Sequence, residues 1–295
     1  MTEPSTTAPS VPRSAAPAGE RPTTAVDMSS PLGNPTILGT FLALLLRDLP
    51  VLRKNLREFI PRTIIQPLLL VFVFTYVFPK IGQTIGGGSG SVAFSTLLIA
   101  GVLGVTILFQ GIQSTALPLV QEFGFTREIE DRVLAPLPIE LVAIEKIVAA
   151  AIQCLISALI VFPIAKYVPA TPVDLNIHWA VLVTLVPLAC LFSAAIGLTF
   201  GTIFQPRTVP ILFGVIVVPM TFLGCVYFSW QSLEAIRWLQ LLVLLNPLVY
   251  ICEGFRAALT PVPHMSLWAI YGVIIGGTGV LTAIAIRFFK RRVIA

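Results

Sequence analysis

Charged residues are scarce in this chain. Asp, Glu, Lys and Arg make up 11% of its 295 residues, whereas they make up about 25% of a soluble globular domain. Hydrophobic residues make up 56%, and several uncharged stretches approach or exceed the roughly 20 residues with which a helix crosses a bilayer. The alternating ten-residue segments of a membrane β-barrel are absent. The composition therefore excludes a soluble domain and predicts an all-α polytopic membrane protein.

Residues that build catalytic, metal or nucleotide sites are also few. Two histidines, His178 and His264, have no acids beside them, which favours interfacial polar residues over metal ligands. The four cysteines form no CxxC pair and lie in apolar runs, which favours buried thiols. No GxxxxGK[ST] loop is present to cradle the phosphates of ATP. We therefore expect no catalytic, cofactor or metal site in this chain.

The amino-terminal part differs from the rest in composition. Residues 1–36 are rich in Pro, Ala, Ser and Thr and lack the apolar core of a signal peptide, so we expect a disordered tail. Residues 37–60 mix leucines with charges at helical spacing, which favours an interfacial helix over a solvated approach to the first span. Pro50 is expected to kink or divide this helix. Residues 37–295 are predicted to form one membrane domain.

Long apolar runs predict six membrane-spanning helices. Between the fifth and the sixth, residues 230–256 contain an apolar run that is too short for a span and is broken by Asn246-Pro247. Such a run is typical of a re-entrant or interfacial segment. The predicted spans are residues 63–79, 92–120, 139–166, 177–204, 208–229 and 266–286.

The basic residues are distributed unequally between the two sides of this arrangement. Six spans leave fifteen of the nineteen Lys and Arg on the side of the two termini. Positive residues mark the cytoplasmic side, so both termini are predicted to be cytoplasmic in a cytoplasmic membrane. The net charge of +5 is spread among loops and indicates topology rather than nucleic-acid binding. The residues left on the outer side are Lys80, Lys166, Arg237 and Arg256.

Pairs of glycines four residues apart occur in two predicted spans, at Gly197 and Gly201 and at Gly272 and Gly276. Small residues at this spacing permit close approach of helices. The pattern is common in helical membrane proteins, so it favours packing within the chain over a seam between two copies.

The longest charged interruption is the segment 122–146 between the second and third predicted spans. Within it, residues 122–133 alternate charges with apolar side chains at spacings of two and four. The spacing alone leaves open a short surface helix, with its apolar face toward a partner, and a solvated loop. Pro136 and Pro138 are expected to end this element.

This segment resembles the permeases of ABC-2 type transporters. Glu122, the run Phe125-Thr126-Arg127-Glu128, Pro136 and Lys146 are similar to the coupling helix that joins the second and third spans in that family. Phe125-Thr126 stands where the family often has Gly-Thr, and Glu145-Lys146 stands where Gly-Lys is common. The resemblance predicts a coupling helix over residues 122–135. It assigns the contact with the ATPase to Glu122, Phe123, Phe125, Thr126, Arg127, Glu128 and Ile129.

A second patch supports the same resemblance. Asn-Pro followed by an aromatic residue and Glu-x-x-Arg is similar to the family signature of the re-entrant segment before the last span. Glu253 and Arg256, three residues apart, are able to pair on one helix face, and an ordinary interfacial ion pair is an equally good explanation of these two residues alone. The signature residues are Asn246, Pro247, Tyr250, Glu253 and Arg256.

The resemblance is closest to the branch with antibiotic-resistance, lipooligosaccharide and polysaccharide export permeases. It implies a non-catalytic transmembrane subunit that pairs with a second copy or a paralogue. A separate ATPase chain would bind ATP and Mg²⁺, and the substrate would be a drug, a lipid or a lipid-linked glycan. An intramembrane lipid-modifying enzyme and a secondary transporter are the alternatives. The first predicts clustered His, Asp or Glu at a membrane face, and the second predicts deep acids or inverted halves.

Overall fold

A computed structural model gives the fold of most of the predicted membrane domain, and every regular element in it is helical. The predicted tail, residues 1–36, lies outside the described residues. The structure describes residues 37–54, 56–77, 80–81, 90–123, 138–168, 175–204, 208, 211 and 213–294.

Four long helices form the body of the protein: α3 (Gly90–Gln121), α4 (Ile139–Tyr167), α5 (Trp179–Ile203) and α9 (Leu267–Ile294). Each contains a window apolar and long enough to cross a membrane. Because an α-helix rises about 1.5 Å per residue, even the shortest exceeds the hydrocarbon thickness of roughly 30 Å. The remaining helices are α1 (Ile37–Lys54), α2 (Leu56–Val71), α6 (Val218–Phe222), α7 (Arg237–Leu242) and α8 (Pro247–Leu259).

Helix α3 lies at the centre, with α4, α5 and α8 packed around it, while α9 packs mainly on α5. Of the apolar window with which α3 could cross a membrane, 83% is buried inside the protein. Only 17% of the corresponding window of α9 is buried. Glycines allow this close packing. A Cβ atom at Gly197 of α5 would lie 2.8 Å from the carbonyl oxygen of Gly111 in α3. The glycine pair in α5 therefore packs within the chain, as predicted.

The glycine pair of α9 does not follow that prediction. A Cβ atom at Gly272 or Gly276 would meet no atom within 4 Å. The neighbouring apolar side chains, Trp268 and Ile275, are exposed as well. This face of α9 is turned away from α5, so the spacing does not serve packing against the described part of the chain. All four cysteines are buried thiols, as their apolar surroundings predict.

The prediction of six spans is matched only in part. The described residues contain four spanning helices, or five if the bent pair α7–α8 is one span. The predicted first span appears as the shorter apolar helix Thr63–Val77, which combines the end of α2 with a π-helical turn at Phe72–Val77. The predicted fifth span is helical over Phe213–Val217 and α6 and ends at Phe222. Helix α1 continues past Pro50 to Lys54, so Pro50 does not divide it.

The chain folds back between α6 and α9. A 3₁₀ turn at Gln231–Ala235 leads into α7, and a second at Val243–Leu245 continues it to Asn246. There the direction changes by 98° and α8 begins at Pro247. Proline at the first position of a helix loses no hydrogen bond, so the break forms where Asn-Pro stands. Helix α8 then runs on to Leu259, three residues past the predicted end of the region.

Candidate functional site

The predicted coupling helix lies largely outside the described residues. Phe125, Thr126, Arg127, Glu128 and Ile129 all fall in the range 124–137, which the structure does not describe. Glu122 and Phe123, the first two residues assigned to it, form a π-helical end of α3. Their contacts show how the segment is attached to the rest of the bundle.

Glu122 forms a buried ion pair with Lys146 of α4. The Nζ atom of Lys146 donates to Oε1 of Glu122, and the two side chains are 8% and 9% exposed. Each charge has lost most of its hydration, so removing either partner from this contact between α3 and α4 would be costly. Lys146 was singled out in the sequence as part of the family pattern, but its partner was not predicted.

Phe123 attaches the same end of α3 to α9. Its ring meets the ring of Phe289 edge to face, with 5.9 Å between centroids. The guanidinium carbon of Arg292 lies 4.6 Å from the ring centroid of Phe123, within the range of a cation–π contact. The first two residues of the predicted coupling segment thus contact α4 and α9.

Arg292 extends these contacts to α5. Its Nη1 atom donates to the carbonyl oxygens of Gly201 at 2.9 Å and Phe204 at 2.8 Å. These carbonyls belong to the carboxyl end of α5, where a helix leaves its last acceptors unpaired and carries a partial negative charge. One cation therefore caps α5 and covers Phe123. In the sequence Arg292 belongs to a run of basic residues, which predicts a cytoplasmic side but no contact with Phe123.

A second ion pair lies near the start of α4 and the end of α9. Lys290 pairs with Glu140, and these side chains are 39% and 43% exposed. Water screens such a pair, so it contributes little to stability. The ion pair of Glu140 and Lys290 differs from that of Glu122 and Lys146 in its burial.

The residues of the second signature meet on the fold-back region. Asn246 caps α8 because its side-chain oxygen accepts from the backbone N–H of Leu248 at 3.0 Å. Its side-chain amide donates to the carbonyl of Met220 in α6 at 2.6 Å. The hydroxyl of Tyr250 donates to the carbonyl of Leu244 at 3.0 Å, across the bend. Asn246, Pro247 and Tyr250 together fix the angle between α7 and α8.

Glu253 and Arg256 form a pair that is completely buried. Nη1 of Arg256 donates to Oε1 of Glu253 at 2.6 Å, and both side chains are 0% exposed. Oε1 also accepts from the backbone N–H of Trp230 at 2.9 Å, and Oε2 accepts from that of Met265 at 3.0 Å. The carboxylate is therefore satisfied by three donors, which the burial of a charge requires. The pair therefore lies inside the protein rather than on its surface.

Arg256 holds a strained turn of the backbone. Its Nη2 atom donates to the carbonyl of Cys225, whose φ of 54° lies in the left-handed region. A residue with a Cβ atom adopts that region at a cost, so the surrounding contacts must hold it there. Spacing in the sequence could not indicate this contact, because Cys225 carries no turn signal.

No group of three or more His, Cys, Asp or Glu side chains that could hold a metal ion occurs in the part of the chain that the structure describes. The buried charges at the two ends of the bundle serve contacts between helices.

Comparison with known proteins shows the family of this chain. The sequence pattern of the ABC-2 type transporter family matches residues 40–260. The chain is similar to the inner membrane transport permease YadH of Escherichia coli K12 and of E. coli O157:H7, with 26% identity over 220 residues, 72% of this chain and 82% of each relative. YadH of Shigella flexneri matches to the same extent. The chain belongs to the ABC-2 type transporter family and is a transmembrane transport subunit.

Proposed function

We propose that this chain is the permease subunit of an ATP-driven exporter, powered by a separate ATPase that docks on residues 122–135. The observation that carries the proposal is the attachment of Glu122 and Phe123 to other helices. Lys146 of α4 and Arg292 of α9 hold the start of the predicted coupling segment. A force applied to that segment would act on these two helices at once.

The ATPase would supply the energy by changing its own shape. The chain lacks a phosphate-binding loop, so ATP and Mg²⁺ would be bound by the partner. Closure of the partner would displace residues 122–135, and the contacts of Glu122 and Phe123 would pass the displacement to α4 and α9. Arg292 would carry it to the end of α5. The result is a shift between two arrangements of packed helices, biased by ATP.

The proposed topology has six crossings, with both termini in the cytoplasm. Two of the six crossings would be Thr63–Val77 and the segment 208–229, whose described helices are shorter than a full span. The bent pair α7–α8 would enter and leave at the outer face. The excess of Lys and Arg on the side of the termini supports this orientation.

The proposed cargo is amphipathic, either a drug, a lipid or a lipid-linked glycan, and it would leave the cell. The four long helices are strongly apolar, which suits a molecule with a hydrocarbon part. A second copy of the chain or a paralogue would complete the path. A lipid-modifying enzyme or a secondary transporter is not proposed, because no contact among the described residues favours either.

The experiment is reconstitution of the chain in lipid nanodiscs with a candidate ATPase. We expect co-purification and a faster ATP hydrolysis in the presence of the chain. Phe125→Ala and Glu128→Ala should each reduce both binding and stimulation several-fold, because they remove an apolar contact and a charge from the docking segment. Arg237→Ala, on the predicted outer face, is the matched control. Unchanged binding and stimulation in the two variants would refute the docking segment.

A further inference from the structure

One side of α9 is exposed along most of the helix. With 3.6 residues per turn, Gly272, Gly276, Val280, Arg287 and Arg291 lie on the same side, and all five are exposed. A Cβ atom at either glycine would meet no atom within 4 Å. We call these five residues the open face of α9. This face is apolar over most of its length and ends in two guanidinium groups.

The length of α9 fits the depth of a bilayer. Trp268 is 91% exposed, and tryptophan is enriched where lipid meets water. Arg287 stands 19 residues further along the chain, which is about 28 Å at 1.5 Å per residue. The hydrocarbon core is roughly 30 Å thick. With Trp268 at one interface, Arg287 therefore reaches the headgroups at the other, and Arg291 lies one turn beyond it.

The four basic residues at this end of α9 have different surroundings. Lys290 pairs with Glu140 of α4, and Arg292 donates to carbonyl oxygens at the end of α5. Arg287 and Arg291 are exposed and stand four residues apart. Like charges at this spacing are neighbours and destabilise a helix. An anion bound between the two guanidinium groups would offset that repulsion and accept charge-assisted hydrogen bonds from both.

The depth and the charge of these two arginines fit the headgroup of a phospholipid. The planar fork of a guanidinium matches a phosphate group, and lipid phosphates lie at the interface that Arg287 reaches. Phosphatidylcholine carries its own cation beside the phosphate, whereas an anionic phospholipid has a net negative charge. Basic residues at the membrane surface therefore attract anionic lipids. The open space beside Gly276 leaves room for an acyl chain next to the headgroup.

Charge also argues against a second copy of the chain on this face. Two copies in one membrane have the same orientation, and a two-fold axis normal to the bilayer would place the same residues opposite each other. Contact between two α9 helices would then bring Arg287 and Arg291 of both copies together at one depth. Four like charges at the edge of a medium of low dielectric constant repel one another strongly.

We propose that Arg287 and Arg291 bind the phosphate of an anionic phospholipid, with an acyl chain along the open face of α9. The bound headgroup would lie close to Arg292 in sequence, and Arg292 covers the ring of Phe123 at the start of the predicted docking segment. The lipid would thus support the end of α9 to which that segment is attached.

Native mass spectrometry of the purified chain counts bound lipids and tests this proposal. The chain in detergent micelles is titrated with phosphatidylglycerol or with phosphatidylcholine of the same acyl chains. We expect saturable binding of phosphatidylglycerol and weaker binding of phosphatidylcholine. Arg287→Gln and Arg291→Gln should each weaken the binding of phosphatidylglycerol about fivefold, and the double variant about twenty- to thirtyfold, because each arginine adds a similar attraction.

Two further variants separate this site from a general effect of charge. Arg237→Gln removes the same charge from an exposed position on α7, outside the open face, and should leave the binding of phosphatidylglycerol unchanged. The double variant Arg287→Lys/Arg291→Lys keeps both charges but loses the planar forks, so it should bind more tightly than the double glutamine variant. In phosphatidylcholine nanodiscs, each single variant should unfold close to the midpoint of the parent chain.

The single variants carry the test if a double variant aggregates. Equal binding of the two lipids by the parent chain, or an equal loss in Arg237→Gln, would overturn the proposal. A dimer whose share falls in the glutamine variants of Arg287 and Arg291 would also overturn it, because a second copy would then cover the open face. None of these measurements involves an ATPase, so this inference and the proposed function fail separately.

Discussion

Arg292 and Phe123 lie 169 residues apart in the chain and 4.6 Å apart in the structure, with the guanidinium over the ring. The same guanidinium donates to carbonyl oxygens at the end of α5. It therefore joins the ends of three helices, α3, α5 and α9. The side chain of Arg292 therefore connects the start of the predicted docking segment with α5 and α9.

Arg292→Ala should lower the free energy of unfolding by about 2–3 kcal/mol, because it removes a cation–π contact and hydrogen bonds from a charged donor. Arg292→Lys should recover about half of the loss, since an ammonium keeps the charge but lacks the planar fork. Thermal unfolding in nanodiscs measures both. Arg291→Ala, an exposed change on the same helix, should stay within about 0.5 kcal/mol. An equal effect of the two alanine variants would contradict the role of Arg292.

Glu253→Gln should lower stability by about 3–5 kcal/mol, because it leaves the charge of Arg256 buried without its partner. Replacing both residues, as Glu253→Gln/Arg256→Met, should cost less than the sum of the single changes. Denaturant unfolding in detergent micelles gives the three values. Glu234→Gln, on an exposed position of the same region, serves as the control. Additive losses would show that the two residues do not act as a pair.

Two ion pairs near the same end of the bundle offer a direct comparison of burial. Lys146→Met should cost about 3–5 kcal/mol, since it removes one member of a buried ion pair. Lys290→Met should cost less than about 1 kcal/mol, because its pair with Glu140 is half exposed and screened by water. Raising the salt concentration should weaken only the second pair. A similar cost of both substitutions would mean that burial does not decide their strength.

The glycines of α5 and α9 should respond differently to the same substitution. Gly197→Val places a Cβ atom 2.8 Å from the backbone of α3 and should destabilise the protein by at least about 1–3 kcal/mol. Gly276→Val enters open space and should leave the described fold intact. Unfolding midpoints of the two variants, made in the same background, test this. A midpoint of Gly197→Val that equals the parent value would contradict the packing of α3 on α5.

Cysteine labelling tests the proposed topology, in which both termini lie in the cytoplasm. In a chain whose four buried cysteines are replaced by alanine, Thr126→Cys and Lys290→Cys should resist a membrane-impermeant maleimide added to intact cells. Arg237→Cys, exposed near the start of α7, should react. Reaction of Thr126→Cys from outside would reverse the proposed orientation.

The sequence predicted the features that depend on local chemistry. Long uncharged runs lead to α3, α4, α5 and α9, because a single segment in lipid satisfies its own backbone only as a helix. Asn246-Pro247 marks a bend of 98° because proline cannot continue the preceding hydrogen-bond pattern. The predicted end of the segment 208–229 lies beyond the end of its helix at Phe222, and the turn that follows includes Cys225, whose carbonyl oxygen accepts from Arg256.

The contacts that join distant segments could not be predicted. Lys146 carries no local mark of its partner Glu122, and Arg292 stands in a run of basic residues that reads equally well as a topology signal. Trp230 and Met265 take part through backbone N–H groups, which every residue except proline has. Their roles follow only from the positions of the helices in space.

The two oxygens of Glu253 hold the backbone at Trp230 and at Met265, which stand at the two ends of the fold-back region. One carboxylate thus closes the intervening chain into a ring without a covalent link. Ring closure removes conformations from the segment in the way a cross-link does, and its effect depends on the length of chain enclosed. Unlike a disulfide, this closure consists of hydrogen bonds alone, so it needs no change in redox state to open.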